Sequence, residues 1–120
     1  MNKKTLVLGA SGKTNRYSNL AIKKLVNHGH DVVAIGSKKG EVHGIQILTE
    51  PVFYDDIDTI TIYLNPRKQQ EYYNYVVTLK PRRVLFNPGA ENPEFYKILK
   101  ENNIHFEVAC TLTLLVTNQY

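Results

Sequence analysis

The sequence predicts an α/β fold built on a mostly parallel, twisted sheet with helices on both faces. Three observations predict it. Strand-like apolar runs alternate with helix-like patterns from one end of the chain to the other. The first run, Thr5-Leu6-Val7-Leu8, shows no polar–apolar alternation, as in a parallel strand buried on both sides. That run ends in a glycine turn, Gly9-Ala10-Ser11-Gly12, which feeds the start of a helix.

The elements follow in order. Residues 5–9 form the first strand. Residues 17–28 form a helix, with Ile22, Leu25 and Val26 at i, i+3, i+4 and Gly29 placed to end it. Residues 31–35 are the second strand, and Gly36-Ser37-Lys38-Lys39-Gly40 is a loop. Residues 45–48 are a short third strand, expected at an edge of the sheet. Glu50-Pro51 and the acidic turn Asp55, Asp56, Asp58 separate it from a fourth strand at 59–64. Asn65-Pro66 then caps and opens a helix whose inner side carries Tyr72, Val76 and Leu79 and which Pro81 stops. Val84-Leu85-Phe86 is the fifth strand and Asn87-Pro88-Gly89 a turn. Asn92-Pro93 repeats the cap-and-proline start, with Phe95, Ile98 and Leu99 inward. Ile104, Phe106 and Val108 alternate as a sixth strand. For the apolar run 110–117 the pattern fits a strand or a short helix.

Composition sets the function classes. A chain of 120 residues with 42% hydrophobic content is expected to form one domain spanning 1–120 with a substantial core. No apolar run approaches the ~20 residues of a membrane helix, and the start of the chain lacks the apolar core of a signal peptide. A cytoplasmic protein without a membrane partner is expected. One cysteine, Cys110, excludes an internal disulfide and a cysteine-rich zinc site; no metal site is expected. The net charge of +4 suits an anionic partner. The basic residues are scattered apart from Lys38-Lys39 and Arg82-Arg83, and no nucleic-acid-binding motif is present, so nucleic acid is not the expected partner.

In a parallel sheet with helices on both faces, ligands sit beyond the carboxyl ends of the strands where strand order reverses. Four loops belong there: Gly9–Arg16, Gly36–Gly40, Asn65–Pro66 and Asn87–Gly89. The glycine turn and the first helical turn suit a phosphate, because close backbone approach, free amides and the positive helix end all favour an anion. The turn fits no standard nucleotide loop. A Walker A loop ending at Gly12-Lys13-Thr14 needs a glycine at position 7, which is Val7. The dinucleotide pattern from Gly9 needs glycines at 11 and 14, which are Ser11 and Thr14. After the second strand an NAD site wants an acid for the ribose hydroxyls. Ser37-Lys38-Lys39 offers two lysines instead, which suits a ribose bearing a phosphate, as in NADP or coenzyme A. No catalytic constellation stands out. Tyr96 and Lys100 have Tyr-x-x-x-Lys spacing but lie on a late helix away from the crevice, and no histidine has a readable carboxylate partner.

Several stretches together resemble the small CoA-binding-domain proteins, stand-alone relatives of the CoA-binding domain in the succinyl-CoA synthetase alpha subunit. They are Leu8-Gly9-Ala10-Ser11, Arg16-Tyr17-Ser18-Asn19, Gly29-His30-Asp31-Val32, Asp58–Tyr63, Pro81-Arg82-Arg83-Val84, Asn87–Asn92 and Glu107-Val108-Ala109-Cys110. The resemblance implies a Rossmann-like fold that binds coenzyme A or an acyl-CoA. It implies that Gly9, Ala10, Ser11, Gly12, Arg16 and Ser18 hold the pyrophosphate. Ser37, Lys38 and Lys39 would meet the 3′-phosphate, and Tyr63, Asn65, Asn87, Pro88 and Gly89 would border the pantetheine arm. The expected function is binding without catalysis by this chain alone. The rivals are an NADP-binding oxidoreductase or its fragment, and a non-enzymatic interaction module with a vestigial pocket. Tyr72, Tyr73, Tyr75 and Leu112–Val116 are the candidates for a homo-oligomer face.

Overall fold

A computed structural model describes residues 2–120. Its strands are β1 (Thr5–Ala10), β2 (Val32–Gly36), β3 (Gly40–Val42), β4 (Ile45–Leu48), β5 (Thr59–Ile62), β6 (Arg83–Phe86) and β7 (His105–Val108). The helices are α1 (Tyr17–Asn27), α2 (Pro66–Gln69), α3 (Tyr73–Leu79), α4 (Pro93–Glu101) and α5 (Thr111–Val116). One seven-stranded sheet runs in the order β3-β4-β2-β1-β5-β6-β7. All neighbours pair parallel except β3 and β4.

β1 occupies the centre because neither of its faces is polar: Leu6, Val7 and Leu8 are fully buried. Successive side chains serve opposite layers. Leu6 and Leu8 join Ile60, Ile62, Val84 and Phe86 beneath Val76 and Leu79 of α3 and Phe95 and Leu99 of α4. Val7 and Leu85 face the other way, toward Ile22 and Leu25 of α1 and Leu115 of α5. Each fully buried side chain of this size is worth about 1.5–3 kcal/mol over its exposed state, so both layers are needed. Helices therefore cover both faces, as the sequence predicts.

The predicted helix boundaries have visible causes. α1 ends at Gly29, whose φ of +84° suits only glycine at low cost; its N–H donates to Val26 O at 3.0 Å while His30 N–H reaches Leu25 O at 3.1 Å. Asn65 Oδ1 accepts from Lys68 N–H at 3.0 Å and Asn92 Oδ1 from Phe95 N–H at 3.3 Å, so both Asn-Pro pairs open helices. The helix expected from Asn65-Pro66 to Pro81 is present as α2, a tight 3₁₀ turn at Gln70–Tyr72, and α3.

Two expectations need correction or completion. Ile45–Leu48 is not an edge strand. Gly40–Val42 folds back on it as β3 through a turn at His43 and Gly44, both at positive φ. Three residues are too few to show a strand period. The run 110–117 is a helix, because Ala109 N–H makes the last sheet bond, to Phe86 O at 3.0 Å, and Asn87 Oδ1 then takes Thr111 N–H at 2.9 Å and turns the chain. Tyr72, Tyr73 and Tyr75 pack against the layer under α3 and α4 as half-buried groups, while Val116 is exposed. No helix of the described residues is long and apolar enough to cross a membrane.

The rim opposite the carboxyl ends of the strands is closed by Tyr120. Arg83 is buried there, donating Nε–H to Thr59 Oγ1 at 2.9 Å and Nη2–H to the Tyr120 backbone oxygen at 3.1 Å, with its guanidinium 4.5 Å over the Tyr120 ring. Lys3 Nζ donates to the same oxygen. His30 packs its ring on Tyr120 and accepts Lys3 N–H on Nδ1 at 2.9 Å. Burial, with neighbouring positive charge such as Lys3, holds the His30 imidazole below its ordinary range. A histidine held low contributes stability that is present above its unfolded value and lost as pH falls toward its folded one. Unfolding free energy should therefore decline as pH drops below about 6.5. His30→Asn, which keeps an acceptor for Lys3 N–H, should flatten that decline in urea denaturation series run across this range.

Candidate functional site

Strand order reverses at β1. Its neighbour on one side is β2, reached through α1, and on the other β5, reached through β3 and β4. The crossovers part at this point and leave a crevice above the strand ends. The cleft found there encloses about 910 Å³. Its walls are the glycine turn and α1 start, the loop after β2, the end of β5 with α2 and the 3₁₀ turn, and the loop after β6.

Two glycines let the walls approach. Gly9 sits at φ +95°, and a Cβ there would lie 2.9 Å from Tyr63 C. A Cβ at Gly36 would lie 2.2 Å from Ala10 O, inside any allowed contact. Gly36 thus lets β2 finish against the irregularity in β1 between Leu8 and Ala10. The loops beyond also meet: a Cβ at Gly40 would stand 3.9 Å from Gly12 Cα. The glycine turn and the lysine loop therefore form one continuous rim.

The turn itself is held from below. Asn19 Nδ2–H donates to Ser11 O at 3.1 Å, and Ser11 Oγ accepts Lys13 N–H at 3.1 Å. α1 begins without a side-chain cap and without an acid in its first turn. The backbone amides of Tyr17 and Ser18 have no partner among the described residues. Such an uncapped start carries the partial positive charge of the helix dipole into the cleft. Around it stand Lys13, Arg16, Lys38, Lys39 and Lys68, all exposed and none in an ion pair among the described residues. Cations left unpaired around a concave surface focus a positive field into it.

The structure brings together nearly every residue expected at the site. Gly9, Ala10, Ser11, Gly12, Arg16, Ser18, Ser37, Lys38, Lys39, Tyr63, Asn65, Pro88 and Gly89 line the one cleft. Asn87 does not. It is 1% exposed, and its amide is spent inside the protein. Nδ2–H donates to Thr61 Oγ1 at 2.6 Å and Ile62 O at 2.9 Å, while Oδ1 takes Thr111 N–H. Thr61 Oγ1 in turn lies 2.8 Å from Thr111 Oγ1. Asn87 is therefore a brace beneath the floor, joining β5, β6 and α5; a turn asparagine beside proline and glycine carries no sign of which way it faces. Burial pushes the Tyr63 hydroxyl well above the usual tyrosine range, and that hydroxyl has no hydrogen-bond partner among the described residues.

Lys13 and Tyr17 line the cleft within the expected turn, while Thr49, Lys68, Glu71 and Tyr72 were not expected there. The spacing of Lys68, Glu71 and Tyr72, at i, i+3, i+4, is the one signal that could have marked a shared face. Cys110 is half-buried at the start of α5 and lies outside the lining. Tyr96 stacks on Phe106 with centroids 4.6 Å apart, away from the cleft. No group of acids, histidines and cysteine among the described residues could hold a metal ion.

Fold and cleft together define a Rossmann-like α/β protein with a cation-lined crevice at its topological switch point. Residues 3–115 match the family described as the CoA binding domain, and the chain belongs to that family. A solved crystal structure of an uncharacterised protein is 48% identical, with a TM-score of 0.97 over 100% of this chain and 99% of that one. A hypothetical protein from Pyrococcus horikoshii OT3 is 26% identical, with a TM-score of 0.84 over 92% of this chain and 80% of its own. A protein from Thermus thermophilus, 24% identical, shares the fold with a TM-score of 0.81, over 98% of this chain and 90% of its own. No curated protein matches the chain.

The close approaches make a prediction. Gly36→Ala forces β2 off β1 and should cost ~1–3 kcal/mol of stability, as overpacking does. Gly12→Ala meets open space at a φ open to any residue and should leave stability unchanged or raise it by up to ~1 kcal/mol, through a less flexible unfolded chain. Urea denaturation of the two variants checks the contrast.

Proposed function

We propose that this protein binds coenzyme A or an acyl-CoA in the cleft at the switch point and holds it without transforming it. One observation carries the reading: five cations with no ion pair among the described residues, and an uncapped helix start, surround a single cleft in a member of the CoA binding domain family. Coenzyme A is a polyanion with a pyrophosphate and a separate 3′-phosphate. The turn from Gly9 to Ser18, with Arg16, takes the pyrophosphate through backbone amides and one guanidinium. Ser37, Lys38 and Lys39 take the 3′-phosphate at the end of β2, where an acid would repel it. The pantetheine arm leaves past Tyr63, Asn65, Pro88 and Gly89, over the floor that Asn87 braces.

NADP is the second reading, because its ribose phosphate would suit the same lysines. Calorimetric titration with coenzyme A, its 3′-dephospho form, NADP and NAD separates the two. Coenzyme A should bind tightest. Loss of the 3′-phosphate, or replacement of Lys38 and Lys39 by alanine, should each weaken it by ~1.5–3 kcal/mol, the range for charge-assisted hydrogen bonds. The two losses should not add, since they remove the same contact. Preference for NADP would favour a redox role, and silence toward all four would leave an interaction module with an unused cleft.

A further inference from the structure

One carboxylate stands on a wall of cations. Glu71 is the single acid among the residues lining the cleft. It is exposed and in no ion pair among the described residues. A site for phosphates gains nothing from a like charge, which repels an anion as strongly as each lysine attracts it. A carboxylate facing a polyanionic ligand has one favourable use, which is to accept a hydrogen bond from an uncharged donor on that ligand.

The fold shows which part of the cleft Glu71 faces. Lys68, Glu71 and Tyr72 share one ridge. Gln69 points away from it, toward the loop after β6, with Nε2–H bonds to Leu64 O and Ala90 O, each 2.8 Å. The ridge instead leans over the loop after β4. The Tyr72 ring meets Tyr75 edge-on at 6.4 Å, and Tyr75 OH donates to Val52 O at 2.6 Å. Thr49, three residues before Val52, lines the same cleft. Burial, then the charge of Glu71, push the Tyr72 hydroxyl above its ordinary range, as a carboxylate beside that ring would. Thr49, Glu71 and Tyr72 thus close the cleft on the β2–β4 side, the side of Lys38 and Lys39.

This placement has a covalent consequence if the coenzyme reading above holds, on which the inference rests. The 3′-phosphate and the base are attached to the same ribose. A phosphate on Lys38 and Lys39 brings the base into this corner and sends the pantetheine arm the other way. We propose that Glu71 and Tyr72 recognise the adenine of the bound coenzyme, Tyr72 packing against the base and Glu71 accepting from its exocyclic amino group.

The test uses ligand fragments on the full chain. Adenosine 3′,5′-bisphosphate carries the base and both ribose phosphates, its 6-desamino purine analogue lacks the amino donor, and 4′-phosphopantetheine lacks the nucleoside. Wild type should bind the adenosine bisphosphate ~10-fold more tightly than the purine analogue, the usual worth of one charge-assisted bond. Glu71→Ala, which removes the acceptor, should bring that ratio close to unity. Tyr72→Leu should weaken both bisphosphates by ~10-fold, as loss of base packing does, and neither variant should alter phosphopantetheine binding. Circular dichroism confirms that the variants fold. A Glu71→Ala effect on phosphopantetheine but not on the bisphosphates would put Glu71 at the arm and overturn the proposal. An unchanged ratio in Glu71→Ala would overturn it as well, leaving a solvated surface acid. Failure of wild type to bind coenzyme A or the bisphosphate would instead remove the coenzyme reading itself, and this inference with it.

Discussion

The site depends on backbone contact without side chains between them. β1, β2 and β5 finish together above the centre of the sheet, and the chain manages this only because Gly9 and Gly36 add no Cβ where Tyr63 and Ala10 already stand. Any side chain there would spread the strand ends, and the helix start aimed at the crevice would move with them. The positive field in the cleft follows from the same approach. Lys38 and Lys39 stand near Arg16 because the loop after β2 is drawn against the glycine turn.

A second constraint lies under the floor. Asn87, Thr61 and Thr111 form a closed set of buried hydrogen bonds, and every polar atom of the Asn87 side chain is used. A buried network of this kind is costly when incomplete and specifying when complete. It fixes where β6 ends and where α5 begins, and α5 then lies against α1, the helix whose start faces the cleft. The Tyr120 clasp at the opposite rim secures the far end of the same segment through Arg83 and Lys3. The crevice is thus supported from both layers, with its rigid parts contributed by backbone and its charged parts left exposed.

Much of this was legible in the sequence, for physical reasons. The unalternating run at Thr5–Leu8 marks a strand buried on both faces, and the Asn-Pro pairs at 65 and 92 mark helix starts that the structure reproduces. The glycine turn and the lysine pair were legible as neighbours because topology brings the ends of adjacent parallel strands together. What escaped was information that depends on direction. Nothing in Asn87-Pro88-Gly89 tells whether the asparagine points to ligand or into the core. Nothing in the sequence singles out Lys68 and Glu71, since their place at the cleft depends on how the ridge leans over the β4 loop. β3 was missed because Gly40–Val42 is shorter than any period it could display.

The sheet order also governs how the chain reaches its native state. β1 is the first strand in sequence, yet one of its two partners lies 54 residues later: Thr5 aligns with Thr59. Until β5 emerges and docks, β1 is an open border with Leu6 and Leu8 uncovered and its hydrogen-bonding groups unpaired. Long closures of this kind slow folding, and an unpaired apolar border is a template for aggregation. A nascent chain halted before residue 59 therefore presents the very strand that later becomes the best protected part of the molecule. The same centrality that seats the crevice makes the first half of this protein dependent on the second for its solubility.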